Sequence, residues 1–235
     1  LVCLGSIFQV IFTYVLMQVF AHKSFAAGIA FSKTEVILIA FLEVVILNVI
    51  FSLPLILGIL LGVLSVLFLS FAKKAETILE TFKQLFNSML KIGTLIGLLS
   101  GLLLAASVVF FRMAIISVDA PLLDKSIYIS FIAIVFQTIL VGFYLFFFKK
   151  EQFFAVFKHW KPSLPAGICG TGATFGWFLA FGLATAAEVR AVGQIELIFS
   201  ILISIMIFKE KIKRTETIGI ILLGISILII IFNKL

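Results

Sequence analysis

The stretch VRAVGQIELIFSILISIMIFKEK, residues 189–211, decides how the chain is read. From Ile195 to Phe208 every residue is apolar except Glu196, Ser200 and Ser204. With the small residues before it, the run from Ala191 to Phe208 has the length of a helix crossing a bilayer, which takes about 20 residues. Basic residues close it at Lys209 and Lys211. A carboxylate inside such a run is expensive unless something stabilises it, so Glu196 is a functional-site candidate by its position alone. The bland alternative is a structural ion pair.

The rest of the sequence repeats the pattern. Of 235 residues, 63% are hydrophobic and 12% charged, against about 25% charged in a soluble domain. Strand-like alternation is absent, which argues against a barrel. The expected fold is all-α, a polytopic membrane helix bundle with eight spans: residues 1–20, 28–47, 51–71, 93–117, 127–148, 163–187, 191–208 and 217–232. The chain opens on Leu1 without a charged segment before its first apolar run, so it reads as a truncated start rather than a signal peptide. Cys3 and Cys169 are far apart and inside spans, and His22 and His159 lie in separate connections, so neither a disulfide nor a metal site is implied. No cofactor motif is present. The glycines of GICGTGATFG, residues 167–176, lack the GK[ST] ending of a phosphate loop and read as close helix packing.

The net charge of +7 is informative through its placement. Connections on one side of the eight spans carry thirteen Lys and Arg, and the other side carries Lys125, Arg190 and Lys234. This bias puts the 209–214 connection in the cytoplasm. No contiguous basic stripe exists, so nucleic acid is not an expected partner. Two connections are amphipathic: KKAETILETFKQLFNSML, residues 73–90, and KKEQFFAVFKHWK, residues 149–161, both expected to lie in the headgroup plane against membrane lipids.

Sliding the chain against itself gives one offset, 161 residues, which lays residues 20–67 on 181–228 without a gap. It pairs Glu35 with Glu196, Gly58 with Gly219 and Ser65 with Ser226. Two further spans precede the second copy. The expected organisation is therefore 1–71 as the last three helices of a first repeat, 72–92 as an interfacial linker and 93–235 as a complete five-helix repeat. Five plus five helices, an odd number per copy, make an inverted repeat, with the substrate site of such transporters at the repeat interface. On this reading two spans precede Leu1 in the native protein.

The segment AAEVRAVGQIELIFSILISIMIFKEKIKRTETIGIILLGISILII, residues 186–230, resembles the last two helices of EamA-type permeases of the drug/metabolite transporter superfamily. An Ala-rich turn leads into a helix ending in an FKEK-like loop, and a Gly-containing final helix follows. The resemblance implies a ten-helix fold of two inverted halves that carries small metabolites by alternating access. Two features depart from it. The first two helices are absent, and Val49 stands where the second copy has Glu210.

Residues four apart share a helix face, so Glu196, Ser200 and Ser204 form one stripe and Glu35, Ile39 and Glu43 its counterpart. Gln194 and Lys33 lie at the start of the same helices. These, with Trp177, Tyr14 and Arg112, are the candidate substrate or pathway residues; no catalytic set is expected. For Arg112, interface anchoring and cavity lining are equally compatible with its place near a helix end. The function expected is a secondary transporter of a small-molecule solute, monomeric or homodimeric, in the cell membrane and most simply a bacterial inner membrane. A membrane-embedded enzyme or a structural membrane subunit is the alternative. No Walker motif is present for ATP use.

Overall fold

The computed structural model describes residues 1–20, 31–72, 77–89, 91–209 and 214–233, except the side chains of Phe20, Ala72, Ser204 and Phe208. The expectations for His22, Lys23, Lys73, Lys74, Glu210, Lys211, Lys213 and Lys234 fall outside these residues. The described chain is helical: α1 (Val2–Phe20), α2 (Glu35–Leu47), α3 (Leu53–Ala72), α4 (Ile78–Ser88), α5 (Ile92–Ile116), α6 (Leu122–Phe148), α7 (Lys150–Lys158), α8 (Trp160–Leu183), α9 (Ala186–Gly193), α10 (Glu196–Phe208) and α11 (Arg214–Phe232). Among the described residues seven segments are long and apolar enough to cross a membrane. The eighth expected span, residues 28–47, begins outside them, and its described part is interrupted at Lys33 and Thr34. Three other boundaries move. The helix expected from Ile127 starts at Leu122 behind Pro121, whose fixed φ suits the entry to a helix. The helix expected to run to Ala187 ends at Leu183, and residues 184–185 separate it from α9. The span expected from Ala191 is two helices, α9 and α10.

The chain forms two compact units, one from residues 1–11 and 106–185, the other from residues 12–105 and 186–235. The core of the first unit joins Phe111, Ala114 and Ile115 of α5 with Ile129 and Ala133 of α6 and Phe178 of α8. Phe111 and Phe178 meet with ring centroids 4.8 Å apart. Gly5 lets α1 approach α5 closely: a Cβ there would lie 2.8 Å from the Phe111 ring, and Ser107 donates its hydroxyl to the Gly5 carbonyl at 2.8 Å. Many residues of α7 and the first half of α8 are exposed, Phe154, Phe157 and Trp160 among them.

In the second unit α3 and α11 pack along their length. A Cβ on Gly58 would lie 2.8 Å from Ile230, and one on Gly219 would lie 3.1 Å from Leu69. These are the same contact twice, because Gly58 and Leu69 are related to Gly219 and Ile230 by the offset of 161. Gly58 meets the far end of α11 and Gly219 the far end of α3, so the two equivalent helices run antiparallel. Ser226 donates to the Gly58 carbonyl at 2.7 Å, and Val66, Leu223 and Ile227 close the seam. Element ends coincide under the same offset: α2 and α10 span 35–47 and 196–208, and α3 and α11 begin at 53 and 214.

In α4, within the amphipathic segment 73–90, the apolar face points away from the protein. Thr81 and Ser88 are buried, whereas Leu79 and Phe86 are 80% and 76% exposed. Thr77 caps the helix, its hydroxyl oxygen accepting from the Glu80 N–H at 3.2 Å.

Candidate functional site

The site is built where two helices break at the same register. Helix stops after Ser32 and restarts at Glu35; α9 stops at Gly193 and α10 starts at Glu196. Each break is tightened by three-residue hydrogen bonds. Thr34 N–H donates to Phe31 and Ile37 N–H to Thr34, at 3.2 and 3.0 Å; their counterparts are Ile195 to Val192 and Ile198 to Ile195, at 3.0 and 2.9 Å. A break leaves carbonyls at the end of one half-helix and N–H groups at the start of the next. The charges follow that polarity. Glu35 and Glu196 are the first residues of α2 and α10, and Arg190 lies in the last turn of α9, each placed to complement the helix dipole.

The charges then pair between the two segments related by the offset of 161. Arg190 of the second copy donates to Glu35 of the first through Nε at 2.9 Å and also through a terminal guanidinium nitrogen. Lys33 of the first copy pairs with Glu196 of the second. The two pairs differ in setting: side-chain exposure is 16% and 4% for Arg190 and Glu35, against 24% and 50% for Lys33 and Glu196. Gln194, in the second break, is buried, with its amide 3.5 Å from the Lys33 carbonyl. A Cβ at Gly62 would lie 3.3 Å from its side-chain oxygen. The Ser32 carbonyl is backed by Gly101, where a Cβ would lie 2.9 Å away.

Glu43 is fully buried, and its two oxygens accept from the N–H groups of Ala186 and Ala187 at 2.8 and 2.9 Å. These are the first amides of α9, so a carboxylate from α2 satisfies the start of a helix far away in sequence. Thus α2 holds α9 at both ends, through Glu43 at the start and Glu35 near the finish.

The two expected stripes have different surroundings. Glu35, Ile39 and Glu43 form the buried face of α2, where α9 packs. Glu196 and Ser200 are exposed, with Ser200 bonded to the Glu196 carbonyl at 2.8 Å; the Ser204 side chain lies outside the described residues. The structure therefore brings together Lys33, Glu35, Glu43, Gln194 and Glu196. Tyr14 is 62% exposed on α1. Trp177 and Arg112 belong to the other compact unit. Trp177 stacks on Phe181 with centroids 6.1 Å apart. Arg112 donates to the carbonyl of Ala184, just past the end of α8. Sequence reasoning missed Arg190, read as a charge in an external connection. Its signal was the helical run AAEVRAVG, residues 186–193, whose buried positions Ala186, Ala187, Glu188 and Ala191 define a helix face.

Apolar helices of spanning length, antiparallel equivalent helices and charged half-helix ends define a polytopic membrane protein of the permease class. The EamA-like transporter family model matches residues 91–232, and the chain belongs to that family. Comparison with curated proteins finds no significant match.

Proposed function

We propose that the protein is a secondary transporter that moves a small organic solute by alternating access around the paired helix breaks. The observation that carries this reading is the exposed Lys33–Glu196 pair, one charge from each repeat segment, set beside the buried Arg190–Glu35 pair. Discontinuous helices with charged ends at a repeat interface are the usual substrate-site architecture of secondary transporters. A half-exposed carboxylate in a spanning segment is stable when it faces a water-filled cavity. An exposed pair is worth about 0–1 kcal/mol, weak enough for a solute or a conformational change to part it. Removing one member of a buried pair costs about 3–5 kcal/mol. On this reading the Arg190–Glu35 pair and the Glu43 cap hold α9 to α2 throughout the cycle, and the Lys33–Glu196 pair opens and closes.

The test is uptake of a labelled mixture of small metabolites by proteoliposomes carrying the protein, compared with Lys33→Gln and Glu196→Gln variants of equal thermal stability. Solute accumulation lost in both variants supports the proposal. Equal accumulation in empty liposomes, or variants that transport as the parent does, would refute it.

A further inference from the structure

The second compact unit carries an apolar groove that the helix breaks do not use. It is an open groove of about 750 Å³, lined by residues of α4 and Met89 just after it, together with Phe31 and Leu67, within the range of about 300–1,000 Å³ typical of small-molecule sites. The walls are Leu, Phe and Met side chains, and the polar lining residues are Lys83 and Asn87. These two stand four residues apart, on one face of α4.

The helix that forms the groove is inverted with respect to water. Thr81 and Ser88 are turned inward, and their hydroxyls bond the backbone of their own helix at 3.0 and 2.7 Å. Ile78, Leu79, Phe82, Phe86 and Met89 are all between 46% and 80% exposed. Such a face is stable only against hydrocarbon. The helix is fixed in this attitude by Thr77 at its start, by the bond from the Thr94 hydroxyl to the Ser88 carbonyl at 2.7 Å, and by Phe82 packing on Phe68 of α3. It connects the end of one spanning helix, α3, to the start of another, α5, which places it at the boundary between chains and headgroups. There the groove offers an apolar trough with one cation and one amide at its edge. Among the described residues Lys83 has no carboxylate partner; Glu80 of the same helix bonds Gln84 and is not part of the lining.

We infer that this groove is a binding site for one anionic phospholipid, with an acyl chain along Phe31, Leu67, Leu85 and Phe86 and the headgroup phosphate accepting hydrogen bonds from Lys83 and Asn87. The charge of the lining selects an anionic headgroup over a zwitterionic one, because no carboxylate among the described residues pairs with the lysine. The site is independent of the transport reading: it requires only that α4 lies in the membrane boundary, and lipid retention is measured without any solute.

The experiment is native mass spectrometry of the full chain, released from detergent after equilibration with equal amounts of phosphatidylglycerol and phosphatidylcholine. The parent protein retains one phosphatidylglycerol in preference to phosphatidylcholine by roughly five-fold, the factor that a single lysine near an anionic lipid contributes. Lys83→Gln removes the preference and leaves lipid retention itself intact. Leu85→Trp, which fills the groove, loses the tightly held lipid of either type. Leu79→Asp, at an exposed lining position outside the core, does the same without disturbing packing and serves if the tryptophan variant misfolds. Equal retention of both lipids by the parent overturns the proposal. So does unchanged retention in the Leu79→Asp variant, or a protein dimer that Leu79→Asp dissociates with no lipid released, which would make a second copy of the chain the occupant.

Discussion

Three carboxylates in the second unit have three different fates, and substitution separates them. Glu196→Gln removes one partner of the exposed pair with Lys33. Thermal stability in detergent is expected to change by no more than about 1 kcal/mol, while uptake falls. A large loss of stability would assign the residue to structure. Glu35→Gln leaves Arg190 without its carboxylate in a buried setting, so a loss of about 3–5 kcal/mol is expected. The double variant Glu35→Gln, Arg190→Gln should recover part of that loss, and a double variant less stable than either single one would contradict the pairing. Glu43→Ala strands the Ala186 and Ala187 amides, each at about 1–3 kcal/mol. Amide exchange of residues 186–193 is the direct readout, and it should accelerate there before anywhere else in the second unit. The sequence marked all three acids as anomalies of the bilayer, since their cost there is a property of the side chain alone. It did not distinguish them, because the partner of each lies about 140 to 160 residues away in the chain.

At the scale of elements, the repeat makes paired predictions. Asn48 and Lys209, equivalent under the offset of 161, are the two non-glycine residues with positive φ among those described, at 52° and 53°. Asn tolerates the left-handed region better than other non-glycine residues, for which it costs about 1–2 kcal/mol. Asn48→Ala is therefore expected to destabilise by about 1 kcal/mol and Lys209→Asn to stabilise by a similar amount, measured as shifts in detergent melting temperature. A stabilising Asn48→Ala, or a destabilising Lys209→Asn, would show that the cap geometry does not control these ends. Gly101→Ala forces a methyl group to within 2.9 Å of the Ser32 carbonyl, a backbone atom that has no rotamer to yield. The expected result is reduced uptake through a displaced first break, with the second break unaffected by amide exchange. Spanning helices were legible from apolar length, which depends on composition within one segment. Their interruptions were not, because Lys33–Thr34 and Gln194–Ile195 contain neither Gly nor Pro. Gly193 precedes the second break, but nothing comparable precedes the first.

At the scale of the whole molecule, the second compact unit needs both ends of the chain, residues 12–105 and residues 186–235. Ending the chain after Thr185 removes Arg190, the helix that Glu43 caps and the whole of α11 against which α3 packs. The fragment is expected to aggregate on extraction, and co-expression of residues 186–235 as a separate piece to restore a monodisperse complex. A fragment that melts cooperatively like the full chain would contradict this. By itself the sequence determined the membrane as solvent, the helical class, the internal offset of 161 and the resemblance to a transporter family. Those follow from local hydrophobicity and from residue identity, which need no knowledge of neighbours. Only the tertiary structure decided which acid caps a helix, which is buried against Arg190 and which stays open beside Lys33. Those outcomes depend on the antiparallel meeting of two segments distant in the chain, and the free energy of a charge is set by what surrounds it.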